Sequence, residues 1–206
     1  MEKISSLNLD FDRVLIQLII PGLTGVFPFL IIFLNHYHFE RDFLYKNLTL
    51  FIPLISILSL IMGIVLENIG SYVEVKYYDE KNKKNEKIDP NYEDTWKKFL
   101  ALNYGAHQPA GHRYLRNILL RMKFELSFGF ALIFMAGGLI ILDNQHPIFE
   151  SNCPRLFFLY LIPFFAFCWL VFKDGYDSSK VLAQTRKILV DEYYIKPNCN
   201  LETDKK

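Results

Sequence analysis

Two long stretches of this chain contain no charged residue, and this feature constrains the fold more than any other. Residues 14–34 and 48–66 form charge-free, strongly apolar runs of 21 and 19 residues. A bilayer core about 30 Å thick is crossed by about 20 helical residues, so a run of 18 or more is typical of a transmembrane helix. Two further charge-free runs of 17 residues follow, at 126–142 and 156–172. The sequence therefore predicts an all-α, polytopic membrane protein with four transmembrane helices.

A soluble fold would explain this pattern less well. Four charge-free helices would have to be buried in a chain of only 206 residues, with little polar helix surface left to cover them. Hydrophobic residues make up 51% of the chain and charged residues 22%, so the chain is neither disordered nor uniformly apolar. The apolar residues are instead segregated into blocks, as in a membrane protein.

The distribution of Lys and Arg predicts the orientation of the spans. Two of these residues precede the first span, eleven lie between spans two and three, and seven follow span four. The two loops on the other side carry only Arg41, Lys46 and Arg155. Because Lys and Arg are enriched on the cytoplasmic side, both termini and the middle segment are expected in the cytoplasm. The richness in Lys, Asn, Ile and Phe fits an AT-rich bacterial gene, so we expect a multi-pass protein of the inner (plasma) membrane.

The spans divide the chain into four segments. We expect an N-terminal segment with the first helix pair (1–68), a cytoplasmic loop with helices (69–123), the second helix pair (124–173), and a cytoplasmic C-terminal amphipathic helix with a tail (174–206). Within the cytoplasmic loop, residues 70–78 are expected to continue the second span or to form a short strand. The stretch 79–89 mixes Lys with Asp and Glu, which is typical of a solvated loop.

Two helices are predicted in the rest of the cytoplasmic loop. Asn91 or Asp94 can cap a helix that runs through Ala101. Gly and Pro around 103–111 then break the chain, and a new helix that begins at His112 is expected to run directly into span three.

The C-terminal segment is predicted to form a separate amphipathic helix. Lys173, Asp174 and Gly175 are expected to end the fourth span, and Asp177 or Ser178 to cap the next helix. Its basic and acidic residues, including Arg186, would then lie opposite an apolar face formed by Val181, Leu182, Ile188, Leu189 and Tyr193.

Small and polar residues recur at steps of three and four along one side of the spans. Such a stripe is either a packing seam between helices or the lining of a water-filled path. Packing is favoured, because no span carries a charge near its centre. The candidate seam or gate residues are Gln17, Thr24, Ser56, Gly63, Glu67, Glu74, Arg121 and Glu125.

Glu67 is the most informative of these candidates. It follows the charge-free part of span two and is expected at the same level as Arg121, Lys123 and Glu125 at the start of span three. A structural ion pair between the two helices is the favoured interpretation, and a gate in an oligomer is the alternative. Arg121 and Glu125 stand four residues apart and could also pair along one helix.

Metal and disulfide sites receive little support. His36 and His38 in the first outer loop could meet His146 in the third, and imidazole is a common ligand of transition metals. Loops of this polarity are usually only solvated, so these residues are weak candidates. Cys153 is expected on the outer side, Cys168 within span four and Cys199 in the cytoplasmic tail, so no disulfide is predicted.

No motif indicates catalysis or a cofactor. The sequence contains no phosphate-binding loop, dinucleotide-binding fingerprint, zinc-protease motif or nucleophile elbow, so we predict that the protein is not an enzyme and binds no cofactor. The net charge of +1 also argues against direct, sequence-specific nucleic-acid binding.

The favoured hypothesis is a small membrane effector of a bacterial defence or toxin-type system. It would perturb the inner membrane, by a pore or a permeability change, when triggered through its cytoplasmic part. Prolines that permit two helix packings and the absence of enzymatic motifs favour it. The expected partners are the lipid bilayer, further copies of the chain, and a cytoplasmic regulatory protein or nucleoprotein. The alternatives are a non-conducting immunity-type protein that binds another membrane protein, and an enzyme at the membrane boundary.

Overall fold

A computed structural model describes residues 2–36, 46–85, 88–101, 110–145 and 154–203 of the chain. Within these ranges, side chains are described for 17–36, 46–47, 49–85, 88–100, 114–143 and 162–192. Every described element is a helix, and no strand occurs in these ranges. In chain order the helices are α1 (Glu2–His36), α2 (Leu48–Val73), the π-helical segment π1 (Glu74–Asp79), α3 (Glu80–Lys83), α4 (Tyr92–Ala101), α5 (Ala110–Gln145) and α6 (Pro154–Thr203).

Three described helices are long and apolar enough to cross a membrane. They are Gln17–His36, Thr49–Lys83 and Tyr114–Asp143, which overlap the first three predicted spans. In the second of them the charge-free part ends at Leu66, and charged residues follow from Glu67 onward. The fourth predicted span, 156–172, lies within α6, and the side chains of its first six residues are outside the described part.

The chain divides into two compact units. The first, here called the span unit, comprises Met1–Ser71 and Lys123–Lys173. The second, here called the loop unit, comprises Tyr72–Met122 and Asp174–Lys206. The helices α5 and α6 each contribute one part to each unit, and both are continuous across the division.

Within the span unit, glycines allow helices to approach until their backbones touch. A Cβ placed on Gly22 would lie 1.8 Å from the carbonyl oxygen of Ser59, and one on Gly63 would lie 2.2 Å from that of Leu18. A Cβ on Gly138 would meet Pro28 Cγ at 2.5 Å. In lipid the hydrophobic effect does not drive helices together. Helices there usually associate through small residues that let their backbones pack closely.

The outer surface of the span unit carries large apolar side chains. Leu50 is 69% exposed and Ile162 is 70% exposed, and many other aliphatic and aromatic residues of the unit are also exposed. In a soluble monomer, contiguous apolar surface on this scale is uncommon. The surface fits a hydrocarbon environment, in agreement with the three apolar helices.

The charged stretch 79–89 is not a solvated loop where it is described, so that prediction is wrong. Glu80–Lys83 is helical, and Asn82, Ile88 and Asp89 are buried. The Asn82 amide Nδ2 donates a hydrogen bond to Ser179 Oγ at 2.7 Å. Lys81, Lys83 and Lys84 are exposed on the same folded segment. The strand considered for 70–78 is also wrong, because these residues are helical.

Two predicted helix boundaries also differ from the structure. The helix α5 begins at Ala110, so Gly111 lies inside it, whereas residues 102–109 are outside the described part. The helix α6 continues through Gly175, where a break and a new cap were expected. Beyond Gly175, the Tyr176 ring packs edge-on against Tyr78, with ring centroids 5.4 Å apart, and lies under the ammonium groups of Lys81 and Lys180. These contacts stabilise the helix at a residue of low helix propensity.

Candidate functional site

The loop unit contains a cavity of about 680 Å³ that is bordered by charged, aromatic and aliphatic side chains. Pockets of this size are typical of small-molecule sites. Its polar lining residues come from four elements and its apolar ones from three. The lining consists of Glu74, Asp79, Tyr92, Glu93, Trp96, Lys97, Phe99, Leu115, Arg116, Leu119, Leu182 and Arg186.

Arg186 is the most deeply buried charged residue of this lining, with only 6% of its surface exposed. Its guanidinium carbon lies 4.0 Å from the ring centroid of Trp96 and 5.4 Å from that of Tyr92. The planar guanidinium can be attracted to aromatic faces while its N–H groups remain available in the plane for hydrogen bonds. One such bond involves the hydroxyl of Tyr92.

Asp79 and Tyr92 form the second polar contact of the cavity. The Tyr92 hydroxyl donates a hydrogen bond to Asp79 Oδ1 at 2.9 Å. Burial raises the pKa of Asp79, although the Tyr92 hydrogen bond and the positive charge of Arg186 act in the opposite direction. Burial also raises the pKa of Tyr92 above its ordinary value. Removal from water therefore disfavours the charged forms of both groups.

The buried charge of Arg186 has no close carboxylate partner in the described part of the chain. The ion pairs that are described there join other residues, and Asp79 acts on Arg186 only as a nearby charge. Glu93, at the cavity edge, pairs with Lys83, which lowers the pKa of this carboxyl. Burial of a guanidinium without a paired anion is costly, so aromatic stacking and the Tyr92 hydroxyl only partly compensate the desolvation.

Local geometry explains how these residues come together. Glu74 and Asp79 are the first and last residues of π1, and both line the cavity. Short π-helical segments inside α-helices often occur at functional sites. On α6, the buried residues Ser179, Ala183, Arg186 and Val190 recur at steps of four, three and four, which places them on one helix face.

The buried face of α6 therefore differs from the predicted one. Val181 and Ile188, expected on the apolar buried face, are 38% and 61% exposed, whereas Arg186, expected on the polar side, is buried. Leu189 is buried as expected. The physical reason is that the aromatic rings of α4 cover the guanidinium, and Ser and Ala allow close approach on the same face. Arg186 therefore lines the cavity and does not face solvent.

The predicted stripe residues are found in different settings. Gly63 is buried against the backbone of Leu18, as a packing seam requires. The hydroxyls of Thr24 and Ser56 donate hydrogen bonds to carbonyl oxygens four residues earlier in their own helices. Ser56 is exposed, and Gln17 is half-buried. Among the stripe residues named here, Gly63 makes a close seam contact, and the hydroxyls of Thr24 and Ser56 are satisfied within their own helices.

The predicted charged residues at the ends of the spans belong to two different sites. Lys123 Nζ lies 3.4 Å from Glu67 Oε1, which brings together α2 and α5 within the span unit. Glu125 is half-buried and Arg121 is exposed on α5. Glu74 lines the cavity of the loop unit, so it belongs to a different site from Glu67.

Among the described residues, no cluster of three or more metal-ligating side chains is found. His36 is exposed at the end of α1, whereas His38 and His146 lie outside the described residues. The predicted weak metal site therefore stays a prediction.

Sequence reasoning did not identify the cavity residues Asp79, Tyr92, Trp96 and Arg186 as a site. The available signal was the spacing of Ser179, Ala183, Arg186 and Val190, which places an arginine among small residues on one face. Comparisons with protein-family models, curated proteins and solved structures give no significant match to this chain.

Proposed function

We propose that this protein is a four-span membrane effector of a bacterial defence or toxin-type system. In this proposal both termini and the loop unit lie in the cytoplasm, and the span unit lies in the inner membrane. Triggering of the loop unit changes the permeability of the membrane. The fourth span is 156–172, and the working form is a homo-oligomer.

The continuity of α5 and α6 carries this proposal. Leu115, Arg116 and Leu119 of α5 line the cavity, and Gly129 of the same helix belongs to the span unit. Likewise, α6 contributes Arg186 to the cavity and, within the span unit, Phe172, whose ring a Cβ on Gly129 would meet at 2.9 Å. A change at the cavity can therefore act on the spans through two unbroken helices. Allosteric coupling requires such a physical connection between two sites.

The distribution of charge supports the orientation, and prolines within the helices support the mode of action. The excess of Lys and Arg on the loop-unit side favours a cytoplasmic location. Pro21 and Pro28 lie inside α1 and Pro53 lies inside α2. Proline removes one helical hydrogen bond and allows a membrane helix to bend, so these helices can adopt more than one packing.

Inducible expression in a bacterial host tests the proposal. Under triggering conditions, we expect a voltage-sensitive dye to report depolarisation and growth to stop. A four-span membrane protein of unrelated sequence, expressed at the same level, controls for the burden of membrane insertion. Unchanged membrane potential and unchanged growth at full expression, with and without stress or phage infection, would refute the effector function.

A second candidate is a non-conducting, immunity-type protein that holds another membrane protein. The observation that favours it is the close contact of α1 and α2 at Gly22 and Gly63, which leaves no space for a water path between these two helices. In this case the protein would protect cells from a membrane-active partner without depolarising them itself. Measurement of the membrane potential with and without the co-expressed partner separates the two functions.

A further inference from the structure

We propose that the cavity of the loop unit binds an organic phosphate, with Arg186 on the phosphate and the Trp96 side of the cavity against the apolar body of the ligand. This inference deepens the proposed function, on which it rests, because it names the chemistry of the trigger.

The burial and the contacts of Arg186 support this proposal. It is 94% buried, lines the cavity, and has no carboxylate within ion-pair distance in the described part of the chain. A guanidinium carries five N–H donors, of which the Tyr92 hydroxyl engages one. An oxyanion that enters the cavity would satisfy further donors in the plane of the guanidinium. Arginine binds phosphate and carboxylate in this bidentate manner, with hydrogen bonds about twice as strong as neutral ones.

The charge of the cavity lining also favours an anionic ligand. Lys97, Arg116 and Arg186 supply three positive charges, against Glu74, Asp79 and Glu93. Glu93 already pairs with Lys83, a residue outside the lining. With Glu93 paired to Lys83, the three cations of the lining face the two remaining carboxylates, Glu74 and Asp79. This excess of positive charge attracts a doubly charged phosphate more strongly than a singly charged carboxylate.

The apolar part of the lining indicates the rest of the ligand. Phe99, Leu115, Leu119 and Leu182 border the cavity together with Trp96. The Trp96 and Phe99 rings are nearly parallel, with centroids 6.2 Å apart and an interplanar angle of 23°. Inorganic phosphate would fill only a small part of 680 Å³ and would leave these side chains uncovered. The ligand class is thus a phosphate joined to an aromatic or aliphatic body of small-molecule size.

Two sources can supply this chemistry. One is a soluble organic phosphate such as a nucleotide, and the other is the phosphate of a lipid. The phosphate contact and the apolar contact are common to both, so the test includes a probe of each kind.

The two tryptophans of the chain provide the measurement. Trp96 lies in the cavity lining, and Trp169, the other one, lies on α6 in the span unit. In full-length protein carrying Trp169→Phe, purified in a phosphate-free maltoside detergent, Trp96 is the only tryptophan. Its emission is titrated with phenyl phosphate, adenosine monophosphate, dihexanoyl phosphatidic acid, benzoate, phenol and inorganic phosphate.

We expect saturable changes in Trp96 emission with phenyl phosphate. A change with adenosine monophosphate would indicate a soluble ligand, and a change with dihexanoyl phosphatidic acid would indicate a lipid. Benzoate, phenol and inorganic phosphate should bind at least about tenfold more weakly, because each lacks a dianionic oxyanion or an apolar body. No saturable change with any organic phosphate would refute the proposal. Benzoate that binds as tightly as phenyl phosphate would refute the assignment of phosphate.

Two neighbouring residues give a matched pair of variants. Arg186→Gln removes one positive charge from the cavity and should weaken phenyl phosphate binding at least about tenfold. Lys187→Gln removes one positive charge at the next position, which does not line the cavity, and should change binding less than about twofold. Equal effects of the two variants would refute the role of Arg186.

If Arg186→Gln does not fold, Lys97→Gln is tested in its place. Lys97 is a cation of the lining and is exposed, so its substitution should leave the fold intact. It should weaken phenyl phosphate binding about two- to fivefold, and no change would count against the proposal. These measurements are made in detergent and do not involve permeability. Failure of binding therefore refutes the ligand, whereas binding without depolarisation in cells refutes the proposed function.

Discussion

Lys123 Nζ lies 3.4 Å from Glu67 Oε1 and joins α5 to α2 inside the span unit. The two side chains remain 33% and 39% exposed, so solvent screens their attraction. Pairs of this kind contribute about 0–1 kcal/mol to stability. This geometry agrees with the ion pair that the sequence favours, and it indicates a modest energetic role.

We therefore expect Glu67→Gln to insert into the membrane at nearly the level of the unchanged protein. Under the proposed function, the variant alters depolarisation, since the substitution removes a charge at the end of a span. Immunoblots of membrane fractions and dye fluorescence measure the two effects. Lys123→Gln and the double variant complete a cycle that isolates the pair. Loss of Glu67→Gln from the membrane fraction would show that the pair is needed for folding.

Gly63→Ala should disrupt the span unit. Its Cβ would lie 2.2 Å from the Leu18 carbonyl oxygen, so α1 and α2 would have to separate. Overpacking of this kind costs about 1–3 kcal/mol. Gly137→Ala is the matched control, because a Cβ there meets nothing within 4 Å. Thermal unfolding in detergent should show a lower midpoint for Gly63→Ala and an unchanged one for Gly137→Ala, and equal midpoints would contradict the close contact.

Asn82→Ala should destabilise the loop unit. Asn82 is fully buried and donates to Ser179 Oγ, so the substitution removes this hydrogen bond and leaves a void. Loss of a buried hydrogen bond costs about 1–3 kcal/mol. We expect a cost in the lower part of this range, because the substitution also removes Asn82 Oδ1. This buried oxygen has no hydrogen-bond partner in the described structure, so its burial is unfavourable. Lys84→Ala, on an exposed side chain two residues away, should have little effect on unfolding followed by Trp96 emission.

The pH dependence of stability should include a contribution from Asp79. Burial raises the pKa of this carboxyl above its ordinary value of 3.8, so the folded chain binds the proton more tightly than the unfolded chain. The resulting stabilisation is present below pH 3.8 and is lost as the pH rises through the raised folded pKa.

Asp79→Asn should remove this contribution, because its amide does not titrate and still accepts the Tyr92 hydrogen bond. Relative to the unchanged chain, the variant should therefore gain stability as the pH rises from about 4 toward neutrality. Unfolding midpoints across this pH range, read from Trp96 emission, measure the gain. Asp94→Asn, which removes an exposed carboxyl of α4, is the control. A constant difference between Asp79→Asn and the unchanged chain would contradict the expected linkage.

The apolar helices could be predicted from the sequence because their pattern depends only on the solvent around them. Charge-free runs identified three helices that are long and apolar enough to span a membrane, and the helix ending at Ala101 followed from its local pattern. Such features require no knowledge of distant contacts.

The cavity could not be predicted, because it depends on residues that are far apart in the chain. The burial of Arg186 results from the ring of Trp96, 90 positions earlier, and Asn82 is buried by its contact with Ser179. The polar and charged neighbours of both residues in the sequence had favoured exposed positions. Gly175 was read as a break because glycine costs a helix about 1 kcal/mol, and the ring contacts of Tyr176 outweigh that cost.

The winding of the π-helical segment π1 determines in which direction the side chains at its end and in the following helix α3 point. Each residue turns an α-helix by about 100°, so one residue of additional winding rotates the downstream side chains by more than a quarter turn. Asp79 lies at the end of this segment, with Tyr92 as its hydrogen-bond donor. Rewinding Glu74–Asp79 into a regular α-helix would turn the Asp79 carboxyl away from that hydroxyl without any change in the sequence.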